Sequence, residues 1–180
     1  MNGAIRTKRL DLVPMTPAFL RASIRGDLAQ AEQHIDLVLP DDWPTIPAVL
    51  DLRLEQLEAD PTLQPWLLRA IALRSNREMI GHIGFHDSPG AAHLNQWCPG
   101  GAELGFTVFA PHRRQGYARE AAVALMQWAR EAHSVASFVV TISPANAGSQ
   151  ALAAELGFVR VGSHLDEVDG VEDVLARRGP

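Results

Sequence analysis

Residues 103–142 constrain the fold more than any other stretch of the chain. Residues 103–109 read as a strand, 110–117 as a loop containing Pro111, Arg113, Arg114 and Gly116, and 118–133 as a long Ala-rich helix. Residues 135–142 follow as a second strand of nearly continuous apolar and β-branched side chains, the pattern of a strand covered on both faces. Strand, loop, helix and strand in that order put the chain in a mixed α/β class.

The flanking segments agree with that class. Residues 7–13 read as a first strand ended by Pro14, and Thr16 with Pro17 opens a helix whose Phe19, Leu20 and Ile24 repeat at helical spacing up to Gly26. Residues 39–44 form a loop by their proline and aspartate content. A helix follows, bracketed by Pro47 and Pro61 and carrying a Leu50, Leu54, Leu57 stripe. Residues 66–73 and 78–86 read as strands joined by a turn at 74–77, and residues 87–101 as a Gly/Pro-rich loop. A helix over 146–156 stops at Gly157, strands cover 158–161 and 171–176, and residues 177–180 read as a frayed end. With no linker, repeat or low-complexity segment, residues 1–180 read as a single domain.

Composition removes several classes of function. Hydrophobic residues at 47% and charged residues at 21% are those of an ordinary folded domain. The formal charge of −5 has the wrong sign for sequence-independent capture of nucleic acid or of an anionic membrane. No apolar run is long enough to span a bilayer, and the first residues lack a signal-peptide core. Cys98 is the only cysteine, so neither an internal disulfide nor a thiolate metal cluster can form, which allows a reducing, cytoplasmic setting. Lys8 is the only lysine, in neither the context of a phosphate-loop NTPase nor that of a pyridoxal enzyme. His82 and His86 lie about 13 Å apart along one strand face, too far to share a metal, and no metal site is expected.

The loop before the long helix carries the chemistry. Arg113, Arg114, Gln115, Gly116, Tyr117 and Ala118 place two cations, a glycine and a small residue at a helix start, where backbone N–H groups and the helix dipole favour a pyrophosphate. Neither a dinucleotide-fold glycine fingerprint nor a Walker lysine is present, so a different diphosphate is indicated.

Arg113 through Ala118 resembles the Arg/Gln-x-x-Gly-x-Gly/Ala loop of the GCN5-related N-acetyltransferase (GNAT) family. Downstream, Ser143, Pro144, Ala145, Asn146 and Ser149 lead into Leu156, Gly157 and Phe158, like that family's strand, Asn, helix, Gly-Phe segment. Thr7-x-Arg9-Leu10-x-Leu12 and Ile80-Gly81-x-Ile83-Gly84 resemble the subgroup containing the ribosomal-protein N-terminal (RimJ/RimL-like) acetyltransferases. The resemblance implies an α+β fold with a mixed, largely antiparallel sheet of about six to seven strands, flanked by helices, with a splayed strand pair holding CoA. It implies a transferase that moves an acetyl group from acetyl-CoA directly to a primary amine, on a small molecule or a protein N-terminus. Cofactor contacts would come from the backbone of Phe106, Thr107 and Val108 and from Arg113, Arg114, Gln115, Gly116, Tyr117, Ala118, Asn146 and Ser149. Arg119 stands where relatives commonly carry a hydroxyl residue, and would reach phosphate by charge.

Transfer from a thioester to an amine needs a positioned neutral amine, a polarised carbonyl and a proton for the thiolate. Glu103 at the strand start is the first candidate for the base, against a plain solvated or ion-paired glutamate. His86 is the rival: antiparallel pairing of 78–86 with 103–109 brings it near Glu103, so that either acts or the two orient one another. Relatives often carry a tyrosine seven residues after the asparagine to protonate the thiolate; Ala153 stands there, leaving Ser149 or water. Trp43, Trp97 and the loops 36–46 and 87–101 are candidate walls of the amine site, with Trp43 equally placed as a core residue. The acidity modestly favours a cationic acceptor, and a homodimer is implied only by analogy. The absent tyrosine keeps open a non-catalytic acyl-CoA-binding or sensing domain on the same fold, against which Glu103 stands.

Overall fold

The computed structural model describes residues 3–166 and 170–179, in two compact units: Met1–Gly84 with Phe106–Ala124, and Phe85–Gly105 with Leu125–Pro180. Eight strands are present among the described residues, beyond the six or seven implied by the resemblance. They form a mostly antiparallel α+β arrangement with five helices.

In the first unit, β1 (Ile5–Arg6), β2 (Leu10–Pro14), β3 (Arg69–Leu73) and β4 (Met79–Phe85) pair antiparallel in chain order. Residues 7–9 leave the strand expected over 7–13 and form a turn, held by the Thr7 N–H donating to the Leu10 carbonyl at 2.8 Å. Helix α1 (Pro17–Ile24) starts as its residues dictate. The Thr16 hydroxyl accepts the Phe19 N–H at 3.3 Å, and Pro17 occupies the first turn, where no N–H is needed. Such a cap contributes about 1 kcal/mol.

Helix α2 (Leu28–Ile35) has no counterpart in the sequence reading; Asp27 caps it, and it buries only Ala31 and Ile35. Helix α3 (Pro47–Ala59) matches its proline brackets. These helices cover the sheet through a core of Val13, Met15, Phe19, Leu20, Leu50 and Leu57 with Trp43.

Among the buried polar side chains of this unit are Arg69 and His82. Arg69 donates to the carbonyls of Gly3 at 2.6 Å and Pro65 at 2.7 Å, and burial lowers its pKa to about 10. His82 lies edge-on to Phe109, with ring centroids 6.3 Å apart, and burial lowers its pKa to about 4, making it a neutral core imidazole at neutral pH.

The second unit is built on β6 (Ser137–Ile142), β7 (Val159–Asp166) and β8 (Gly170–Arg178), with β8 antiparallel to both neighbours. Of the end expected to fray, Arg177 and Arg178 are instead strand, paired with Phe138 and Ser137, while Pro180 lies outside the described residues. Helix α5 (Ala147–Glu155) is capped by Asn146, whose side-chain oxygen accepts the Ser149 N–H at 3.1 Å. Leu94, Cys98, Val139, Val174 and Ala176 form this unit's core.

Strand β5 (Ala102–Val108) and helix α4 (Tyr117–His133) run through both units. The start of β5 lies parallel to β6, with Ala102 opposite Phe138 and Glu103 opposite Val139, and that pairing stops there.

Candidate active site

The loop after β5 is shaped by backbone contacts first. The Phe109 N–H donates to the Ile80 carbonyl at 2.9 Å, and Gly81 packs so tightly that an added Cβ would stand 2.1 Å from the Thr107 oxygen. The Arg113 guanidinium turns back to donate from Nε to the Val108 carbonyl at 2.9 Å. Beyond it the chain adopts left-handed backbone at Arg114 (φ 62°) and Gly116 (φ 80°) before α4 begins at Tyr117. Turns of this kind direct successive N–H groups to one side, and the helix N-terminus adds a positive dipole end. Arg113, Arg114, Gln115, Gly116 and Arg119 are exposed, and Tyr117 and Ala118 are half-buried.

The sequence reading quoted Arg9 only as part of a motif. Its Nε donates to the Glu120 carboxylate at 2.7 Å, its Nη1 donates to the Gln115 carbonyl at 3.0 Å, and its guanidinium lies 4.4 Å from the centre of the Tyr117 ring. Glu120 also accepts the Thr7 hydroxyl at 2.6 Å and the Arg9 N–H at 2.9 Å. Burial pushes this carboxyl up, but the Thr7 and Arg9 bonds more than reverse that and hold its pKa below the usual range. The turn at 7–9 is thereby fastened onto the loop and first turn of α4. Charge spacing along the chain could not reveal a pairing across 111 residues.

In the second unit Glu103 is a buried carboxylate, its side chain 8% exposed. It accepts the Thr141 hydroxyl at 2.7 Å and the His93 Nε2 at 2.9 Å, with His86 Nδ1 3.6 Å away. Burial pushes its pKa up; His86, Thr141 and His93 together outweigh that and hold it at about 2. The expected closeness of His86 and Glu103 is present, and the His86 N–H donates to the Glu103 carbonyl at 2.9 Å. His86 also lies over β5 where Gly105 leaves room, since a Cβ there would be 2.6 Å from its Nε2. His93 and Thr141 were missed: His93 sits in a single helical turn too short to show periodicity, and Thr141 lies on a strand like any other threonine.

The remaining candidates divide. Asn146 and Ser149 share the first turn of α5, with the Asn146 oxygen occupied as the cap. Trp43 is 3% exposed, donates from Nε1 to the Ser23 hydroxyl at 2.9 Å and packs near Phe19 and Phe109, so it is a core residue and not an open wall for an acceptor. Trp97 is half-buried, and its indole fills the space a Cβ at Gly162 would need. Cys98 is buried in the core, His112 bonds Glu78 at 3.1 Å, and Ala153 is buried. Among the described residues His164, Asp166 and Glu172 bring one potential ligand atom each within 4.8 Å of one another, a grouping absent from the sequence reading. His164 and Glu172 there stand 4.0 Å apart as an ion pair when the imidazole is protonated. No helix among the described residues is long and apolar enough to cross a membrane.

The model of the acetyltransferase (GNAT) domain family matches residues 9–159. An uncharacterized N-acetyltransferase of Bacillus subtilis (strain 168), YjdG, is 27% identical over 161 residues, covering 86% of this chain and 89% of that one. Among solved structures, the acetyltransferase from Agrobacterium tumefaciens str. C58 is 26% identical with a TM-score of 0.60, covering 97% of this chain and 94% of that one. RimL, a ribosomal L7/L12 alpha-N-protein acetyltransferase in complex with coenzyme A, shares the fold at a TM-score of 0.64 and 18% identity, with 98% of each chain covered. With the family model spanning most of its length, the chain belongs to the GNAT family and is an acetyltransferase on that family's α+β fold.

Proposed function

We propose that the protein transfers the acetyl group of acetyl-CoA directly to a primary amine, on a small molecule or a protein N-terminus. The observation that carries this reading is the loop at 113–118, whose left-handed turns at Arg114 and Gly116, exposed arginines and helix start suit a pyrophosphate. Arg113, Arg114, Gln115, Gly116, Tyr117, Ala118 and Arg119 hold that diphosphate. Acetyl-CoA, when bound, supplies an activated thioester whose pantetheine adds along the backbone of Phe106, Thr107 and Val108, as an added strand does.

The backbone N–H groups of β5 polarise the acetyl carbonyl, and Glu103 with His86 forms the candidate base cluster. Asn146 fixes the first turn of α5, and Ser149 or water protonates the leaving thiolate. Trp97 borders the acceptor side. The same reading places the enzyme in the cytoplasm.

Acetyl-CoA should raise the melting temperature by mass action: at one hundred times Kd the gain is about 2.7 kcal/mol, or roughly 5–11 °C for a chain of this size. Differential scanning fluorimetry with and without acetyl-CoA checks it. No shift at millimolar acetyl-CoA contradicts the reading.

A further inference from the structure

The Glu103 cluster holds one imidazole that the acetyl-transfer reading leaves without a role. His93 sits in a single helical turn, Ala92–Leu94, that is anchored rather than loose: Leu94 is 2% exposed, and its carbonyl accepts the N–H groups of Trp97 at 2.9 Å and Cys98 at 2.7 Å. The His93 side chain is nevertheless 56% exposed, so a ligand can reach it, whereas Glu103 beneath it is nearly sealed. Nε2 stands 2.9 Å from the Glu103 carboxylate, and with its hydrogen donated there the lone pair resides on Nδ1. Nδ1 makes no hydrogen bond among the described residues.

Glu103 itself is poorly suited to take a proton from the acceptor. Its two oxygens are engaged by Thr141 on β6 and His93, with His86 beside them. A carboxylate so held has little affinity for another proton. The titratable groups that meet here are Glu103, His86 and His93; His86 Nδ1 is farther from the carboxylate at 3.6 Å, and its Nε2 lies against β5 at Gly105.

We infer that His93 is the base of the transfer and that Glu103 is its positioning residue, an imidazole and carboxylate pair replacing the lone glutamate base. The inference rests on the acetyl-transfer reading above. In the step, the amine nitrogen forms a bond to the thioester carbon as the carbon–sulfur bond breaks. The nitrogen's proton passes to Nδ1 of His93, the thiolate takes up a proton, and the imidazolium returns its own to solvent. The sum is amine and thioester to amide and thiol. Glu103 holds the ring in the Nε2–H tautomer and stabilises the imidazolium.

The test is the pH dependence of kcat/KM for wild type, His93→Gln and Glu103→Gln, beside an NMR titration of the His93 ring in wild type and Glu103→Gln. In the wild type kcat/KM should fall on an acid limb as the base is protonated. His93→Gln should lower kcat about a hundredfold, remove that limb and leave the KM for acetyl-CoA within about twofold. Glu103→Gln should move both the limb and the ring titration to lower pH, because the anion that favours the imidazolium is gone. Wild-type activity and limb retained in His93→Gln overturn the inference while leaving acetyl transfer intact. A wild type that transfers to no amine overturns the reading on which it rests, and a ring titration unmoved by Glu103→Gln contradicts the pairing independently of activity.

Discussion

Alanine at position 81 should destabilise the protein by about 3 kcal/mol, the upper part of the range for forcing extra volume into a packed site, and lower its melting temperature by roughly 6–12 °C. A Cβ there would stand 2.1 Å from the Thr107 carbonyl oxygen and 3.0 Å from the Val108 Cα. Both are backbone atoms of β5, so no side chain can rotate away, and relief requires the strand itself to move. That strand is the proposed pantetheine track, so the variant's remaining folded fraction should also bind acetyl-CoA more weakly. Thermal denaturation of Gly81→Ala, with serine at the same position as a second variant of similar size, checks the first part. A melting temperature within 2 °C of wild type would show that β4 and β5 do not approach as described.

The second large effect is expected at Arg9. Arg9→Ala removes the donor to the Gln115 carbonyl, the ion pair with Glu120 and the cation stacked on Tyr117. Charge-assisted bonds of this kind are the stronger ones, and here they set loop shape rather than touch the reacting atoms. Loss of uniform binding appears in KM. The KM for acetyl-CoA should therefore rise about tenfold or more with kcat nearly unchanged. Lysine should rescue only in part, since it restores the charge but not the planar fork that reaches Glu120 and Gln115 together. Steady-state kinetics of both variants decide it; a fall in kcat at unchanged KM would place Arg9 in the chemistry instead.

Periodicity and punctuation made most of the fold legible. Thr16 with Pro17, the two prolines around α3, the turn at 74–77 and the glycine after α5 each act within a few residues, where local rules are decisive. Helix α2 was not legible because it is only eight residues long and buries just two side chains. The C-terminal strand was cut short because Arg177 and Arg178 look like a solvated end, and only pairing with β6 makes them strand. At the site, the loop at 113–118 was readable because its chemistry is contiguous. The contacts around Glu103 were half readable: strand pairing foretold His86, whereas His93 and Thr141 converge on the carboxylate through tertiary packing. Trp43 shows the same limit from the other side, since burial against Phe19 and Phe109 is decided by packing that no local pattern records.

Release of free thiol from acetyl-CoA, followed over a panel of primary amines, N-terminal peptides and an amine-free blank, tests the central claim most directly. Thiol should appear in proportion to enzyme with at least one amine and stay at the blank's rate without one, with mass spectrometry placing the acetyl group on the acceptor's nitrogen. Acetyl-CoA that binds but yields no acceptor-dependent thiol across the panel would contradict the transferase account and favour a domain that only binds the thioester.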